Sequence, residues 1–250
     1  MHTVTKILAI FILALVPTFS FASSLGGELG AYSEDFEASS LTSTRIGSGW
    51  RFFNAVFEDD VFLFSYFGLA PNGPQISAFV TDQGGIDQGN VQLSVYSDYE
   101  CCQNPGSGHQ SSTGLGLVET NVFREQTVGS SNVGEHWTFS FDAKLGNIDG
   151  DTEALAFLQV LDPNNGFSQT AEVTLDSTLV GNDWARYSIS LTIGDWEGQI
   201  LQFGFQSRAG NFDGAGMFYD NLDFNATAVP IPGALLFMVS GLLGVFARRR

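Results

Sequence analysis

Carboxylates are the most abundant chemically capable groups in this chain, with 27 Asp and Glu against 10 Lys and Arg. Carboxylates bind hard cations, and two at suitable separation suffice to hydrolyse a glycosidic bond. No spacing singles out such a pair. Asn147, Asp149, Asp151 and Glu153 alternate in the manner of a calcium loop but lack its frame and terminal glutamate, and read as a solvated turn. Neither a Gly-x-Ser-x-Gly elbow nor a His-Glu-x-x-His pair occurs. His109 lies in a Gly- and Ser-rich stretch, and His136 precedes an apolar alternation without an obvious partner. Cys101 and Cys102 are adjacent, which is neither a disulfide framework nor a metal-ligand spacing. The expectation is a protein that is not an enzyme.

Aromatic residues are the second set of candidates. A sugar site needs exposed rings beside hydrogen-bonding groups. Trp184 and Trp196 sit beside turns, and Tyr96, Tyr99 and Trp50 are further possibilities. For each ring, burial in a core is the competing expectation.

All the acids lie between Glu28 and Asp223, where only Arg45, Arg51, Arg124, Lys144, Arg186 and Arg208 oppose them. Such a field repels nucleic acid and suits a solvated extracellular domain or cation binding.

These side chains have to be positioned by strands. Val91, Leu93 and Val95 alternate with polar residues, as do Trp137, Phe139 and Phe141, then Tyr187, Ile189, Leu191 and Ile193, then Leu201, Phe203 and Phe205. Val61 to Phe67 and Ala154 to Leu161 are apolar on both faces, as central strands or strands under loops are. Turn signals such as Asn104-Pro105-Gly106 and Asp162-Pro163-Asn164-Asn165-Gly166 separate the runs. Glu100 to Gly116 reads as a long surface loop. The pattern predicts an all-β sandwich or barrel over residues 23–228.

The two ends read differently. Lys6 is followed by an uncharged run from Ile7 to Val16, then Pro17 and the small-x-small trio Ser20-Phe21-Ala22. This predicts a secretory signal peptide over residues 1–22, cleaved after Ala22. At the other end, Val229 to Ala247 holds 19 uncharged, mostly apolar residues, followed by Arg248, Arg249 and Arg250. Such a run just spans a bilayer, with the arginines on the cytoplasmic side.

The opening Val229, Pro230, Ile231 and Pro232, the Gly-containing apolar run and the arginine cluster together resemble a PEP-CTERM sorting signal over residues 229–250. Ile231 stands where the motif usually has an acid. The resemblance implies transient anchoring as a transmembrane helix in the inner membrane of a Gram-negative bacterium. Processing by an exosortase and release to the cell surface or extracellular matrix would follow. A plain C-terminal anchor is the alternative.

Within the middle, Ser33-Glu34-Asp35-Phe36-Glu37, then Gly49-Trp50, and finally Phe218-Tyr219-Asp220-Asn221-Leu222 resemble the opening and closing segments of galactose-binding-like jelly rolls, a group that includes many carbohydrate-binding modules. This implies a jelly-roll β-sandwich whose first and last strands are neighbours, and a structural calcium ion held by Glu37 and Asp220, with Asp35 and Asp223 as weaker ligands. On strand parity Asp220 shares a side with Phe218 and Leu222. A local cap, or pairing with an arginine such as Arg51, is the other use for it. The functional expectation is a non-catalytic exported protein that binds or organises exopolysaccharide in a biofilm matrix. The alternative is a structural or adhesive scaffold with no sugar site.

Overall fold

Strands that alternate large apolar and polar residues bury one side each, and two sheets of them close on a shared core. The computed structural model describes residues 27–38, 49–71, 77–97, 116–210 and 213–227. The strands are β1 (Tyr32–Glu34), β2 (Trp50–Glu58), β3 (Val61–Leu69), β4 (Ser77–Val80), β5 (Gln92–Val95), β6 (Gly116–Thr127), β7 (His136–Ile148), β8 (Glu153–Asp162), β9 (Ser168–Asp176), β10 (Ala185–Thr192), β11 (Ile200–Gly210) and β12 (Ala215–Thr227). One sheet runs β3-β2-β6-β11-β8-β9. The other runs β10-β7-β12-β5-β4, with β1 added to β12. The fold is a two-sheet, jelly-roll-like sandwich. The expected leader and tail, residues 1–22 and 229–250, lie outside the described residues, as do Tyr99, Cys101, Cys102 and His109. Among the described residues no helix is long and apolar enough to cross a membrane.

The core is aromatic. Phe203 and Phe205 of β11 point across the sandwich and stack on Phe224 and Tyr219 of β12, with ring centroids 4.2 and 3.6 Å apart. Phe139 and Phe141 of β7 complete the contact, at 5.2 Å from Phe203 and 5.1 Å from Phe205 respectively. All six rings are fully buried. Offset and edge-on aromatic packing adds specificity to the large area removed from water.

β1 ties the two sheets together. It pairs with β12, Tyr32 opposite Phe224, so the first and last strands are neighbours as expected. The Tyr32 hydroxyl accepts a 2.7 Å hydrogen bond from the Trp50 indole of β2 and donates to Glu34. Trp50 is therefore a core residue, 1% exposed, and not a sugar platform.

Two expectations change. The apolar run Val61 to Phe67 forms β3, which among the described strands is outermost in its sheet and so is not the central strand that was one of the two expectations for it, with Val61, Phe62, Leu63 and Phe67 at least half exposed. Second, simple parity fails along β12. Its register against β7 shifts between Asp220 and Asp223, and Asn221 takes a left-handed φ of 49°. The bulge turns Met217 and Tyr219 inward before it and Leu222 and Phe224 inward after it. Phe218 and Leu222 thus lie on opposite faces.

Truncating Phe203 to Ala should cost about 3–5 kcal/mol in urea unfolding, whereas Phe62→Ala at the exposed edge should cost under about 1 kcal/mol. Equal costs would mean that the core does not centre on β11.

Candidate functional site

Polar side chains gather in two places. The first lies where the turn after β1, the segment before β5, and β7 meet the β12 bulge. Phe36 has a left-handed φ of 58°, which turns Glu37 toward that segment. Glu37 Oε1 accepts the backbone N–H groups of Asn90 at 2.6 Å and Val91 at 2.8 Å, and Oε2 accepts Asn90 Nδ2 at 3.2 Å. Those bonds, Val91 first, hold the Glu37 carboxyl below the usual range. Gly89 lies beneath, and a Cβ there would collide with the Glu37 carboxylate.

Asp220 is fully buried. Its Oδ1 accepts the Asn221 N–H at 2.6 Å, and its Oδ2 has no hydrogen-bond partner. Burial above all, then the charges of Asp142, Glu37 and Asp35, push its pKa up to about 7, against the pull of the Asn221 N–H. Asp142 itself is well partnered, by Arg186 at 3.2 Å, Gln88 Nε2 at 2.9 Å and Asn221 Nδ2 at 2.8 Å. Arg186 also donates to the Asn221 carbonyl. Arg51 does not reach Asp220, since it pairs with Glu125.

Of the residues the sequence singled out as metal ligands, Glu37 and Asp35 both add their charge to the upward push on Asp220. Asp35 accepts the Glu37 N–H, and Asp223 accepts Asn225 Nδ2 at 2.7 Å. Both line a polar recess of about 410 Å³, together with Glu34, Arg186 and Asn221. Among the described residues no three His, Cys, Asp or Glu converge as a ready metal set. What the donor set leaves open is one buried carboxylate oxygen. A proton or a hard cation fits it chemically.

Trp184 and Trp196 flank opposite ends of β10. The Trp184 indole donates to the Gln83 carbonyl at 2.7 Å beneath Lys144. Trp196 packs against the core over Gly194. Tyr96 is half-buried at the end of β5.

The second gathering is the outward face of the β3–β9 sheet. With Phe203 and Phe205 inward, Gln202, Gly204, Gln206 and Arg208 point outward. The register aligns them in rows across the strands. Phe67, Phe53, Asn121 and Gln206 form one row. Leu69, Arg51, Phe123, Gly204 and Phe157 form the next. Glu125, Gln202, Gln159 and Glu172 form a third.

The rows are hydrogen-bonded internally. Gln159 donates to Gln202 at 2.7 Å, Gln202 to Glu125 at 3.0 Å, and Arg51 lies 3.4 Å from Glu125. Gln206 donates to Asn121 at 2.9 Å, and Asn121 to Glu119 at 3.3 Å. Arg208 pairs with Glu153 at 3.6 Å. Burial pushes the Glu119 carboxyl up, against Asn121 and Arg208. Gly204 is central, and a Cβ there would come within 2.6 Å of the Phe123 backbone. Along the β2–β3 side stand the exposed rings of Phe53 and Phe67.

None of the four carboxamides Asn121, Gln159, Gln202 and Gln206 was singled out in the sequence. The signal was present in the polar half of each alternation, since Gln202 and Gln206 flank Phe203 and Phe205. Only the pairing of β11 with β6 and β8 shows that those carboxamides share a surface with Asn121 and Gln159.

No protein-family profile matches the chain, and no curated protein does. Solved structures align loosely. The enzymatically active domain of Bacteriophage CBA120 tailspike protein 4 is 14% identical at a TM-score of 0.42, over 72% of this chain and 20% of its own, so this chain spans a fifth of that protein's length. A family 11 carbohydrate-binding module of a cellulosomal cellulase of Clostridium thermocellum is 12% identical at 0.39, over 80% and 96%. A family 16 carbohydrate-binding module is 11% identical at 0.39, over 62% and 88%. At such scores what this chain binds has to be argued from its own residues.

An unfolded Asp titrates near ~4. Between about pH 4 and 7 the unfolded chain has released a proton that folded Asp220 keeps, so this group's effect on stability worsens as pH rises and levels off above 7. Asp220→Asn should therefore be more stable than the parent at pH 8 in chelator, with the advantage gone near pH 4. Urea unfolding at both values tests this, and a difference independent of pH would contradict it.

Proposed function

We propose that the chain is a non-catalytic, exported module that binds an uncharged polysaccharide on the outward face of the β3–β9 sheet. The carrying observation is the half-buried carboxamides of Gln159 and Gln206, backed by the buried Gln202 and Asn121 to which they donate, beside the exposed rings of Phe53 and Phe67. Sugar hydroxyls donate and accept at once, and carboxamides answer both needs with one side chain. The C–H side of a sugar ring is apolar and packs on an aromatic face. The surrounding acids, Glu119, Glu125, Glu153 and Glu172, disfavour a polyanionic chain. Arg51 and Arg208 engage Glu125 and Glu153, which is not how a hydrolase presents a free pair of carboxyl groups to one bond.

The calcium reading stands beside this. Asp220, with Glu37 nearby, would hold the ion, which would supply the missing partner of Asp220 Oδ2 and lock the β12 bulge to the turn after β1. The resemblance of residues 229–250 to a PEP-CTERM sorting signal, with the signal-peptide pattern of residues 1–22, would carry the chain through the inner membrane of a Gram-negative bacterium to its surface or matrix. One observation favours a scaffold without a sugar site: the polar rows already satisfy one another, so a ligand has to replace existing hydrogen bonds.

Titration calorimetry with galactomannan, mixed-linkage glucan and alginate tests the reading. Saturable binding of a neutral polymer and none of alginate is expected, with affinity reduced about tenfold or more in Phe53→Ala and in Gln206→Ala, a loss of about 1.4 kcal/mol or more. Alginate bound as well as the neutral polymers, or no binding by a folded chain, would overturn it. Calcium should raise the melting temperature of the parent and leave that of Asp220→Asn unchanged; equal shifts would remove calcium from this site.

A further inference from the structure

β3, outermost among the described strands of its sheet, raises a separate question. Edge strands in soluble proteins are commonly short, charged or covered, because an open edge invites another strand. At the other sheet ends, β9 carries Glu172 and Asp176, β10 carries Arg186, and β4 has four residues. β3 has nine residues, Val-Phe-Leu-Phe-Ser-Tyr-Phe-Gly-Leu, and no charge. The absence of charge extends in sequence from Val61 to Thr81, within a chain of formal charge −17. Val61 is 61% exposed, Phe62 51%, Leu63 50% and Leu69 42%.

We propose that two copies of this chain associate through β3, antiparallel, about a twofold axis at Ser65. Charge selects both the partner and the direction. Two copies of so acidic a chain repel across most of their surfaces, and among the described sheet edges β3 is the longest on which they meet without opposing charges. The turn preceding β3 is acidic, with Glu58, Asp59 and Asp60. Parallel pairing sets the two turns side by side. Antiparallel pairing about Ser65 separates them by about 35 Å at ~3.4 Å per residue, several screening lengths in physiological salt. A twofold contact is also self-complementary, so it closes at a dimer. Edge pairing leaves the outward faces uncovered and joins them into one surface. The dimer does not depend on that surface being a sugar site.

Disulfide trapping tests the register on the full chain in detergent micelles, with Cys101 and Cys102 replaced by Ser. In Ser65→Cys the two thiols face each other, within bridging range. In Val61→Cys they lie about 27 Å apart. Oxidation should link Ser65→Cys into a dimer, leave Val61→Cys monomeric, and link Val61→Cys to Leu69→Cys when the two are mixed. Adding Leu63→Lys to Ser65→Cys should cut the cross-linked yield several-fold without changing the melting temperature. The proposal is overturned if folded Ser65→Cys stays monomeric. It is equally overturned if Val61→Cys cross-links as readily, which would show apolar clustering without register.

Discussion

The stacking of Phe203 and Phe205 on Phe224 and Tyr219 is the contact on which the rest depends. It commits alternate residues of β11, the strand between β6 and β8, to the interior. Once those rings are inside, Gln202, Gly204 and Gln206 have nowhere to go but outward. A slip of one residue would turn two glutamines into the aromatic core and two phenylalanines out of it, which fixes the register firmly. The position of the carboxamide rows follows from the position of the aromatic core.

The β12 bulge is where that regularity is broken. Asn221 in a left-handed conformation returns Leu222 to the core while Asp220 stays opposite Asp142, at the cost of a buried carboxylate with one unpartnered oxygen. A chain selected for stability alone would have little use for such a group. Its neighbours point to a joint: Asn221 reaches the Asp87 carbonyl, and Asp142 collects Arg186, Gln88 and Asn221. Segments distant in sequence are tied together at this point, and whatever neutralises Asp220 governs how tightly.

Much of the fold was legible in the sequence. The alternations around Leu93, Phe139, Ile189 and Phe203 became β5, β7, β10 and β11, because period two with aromatic residues on one side has few other solutions. The apolar run Ala154 to Leu161 became the interior strand β8. The equally apolar run at Val61 became an edge, because apolarity on both faces reports a lack of charge and says nothing of sheet order. The charge of Glu37 is among those that push Asp220 up, while the ion that the jelly-roll resemblance implies for this pair stays a proposal. Asp220 shares a side with Phe218 as parity implied, but Leu222 does not, because a bulge leaves no mark in composition. The outward rows were missed for a different reason: four carboxamides on β6, β8 and β11 become a site only through pairings between strands far apart in the chain.

The central claim is that the outward face of the β3–β9 sheet meets the glycan. Side-chain amide resonances of Asn and Gln in a nitrogen-15 labelled chain report on it directly, followed as a neutral oligosaccharide is added. Shifts concentrated on Asn121, Gln159, Gln202 and Gln206, with Gln88 and Asn90 unmoved, are the predicted result. Shifts confined to Gln88 and Asn90, or to the Trp184 indole, would place the ligand on the other side of the sandwich and contradict the account.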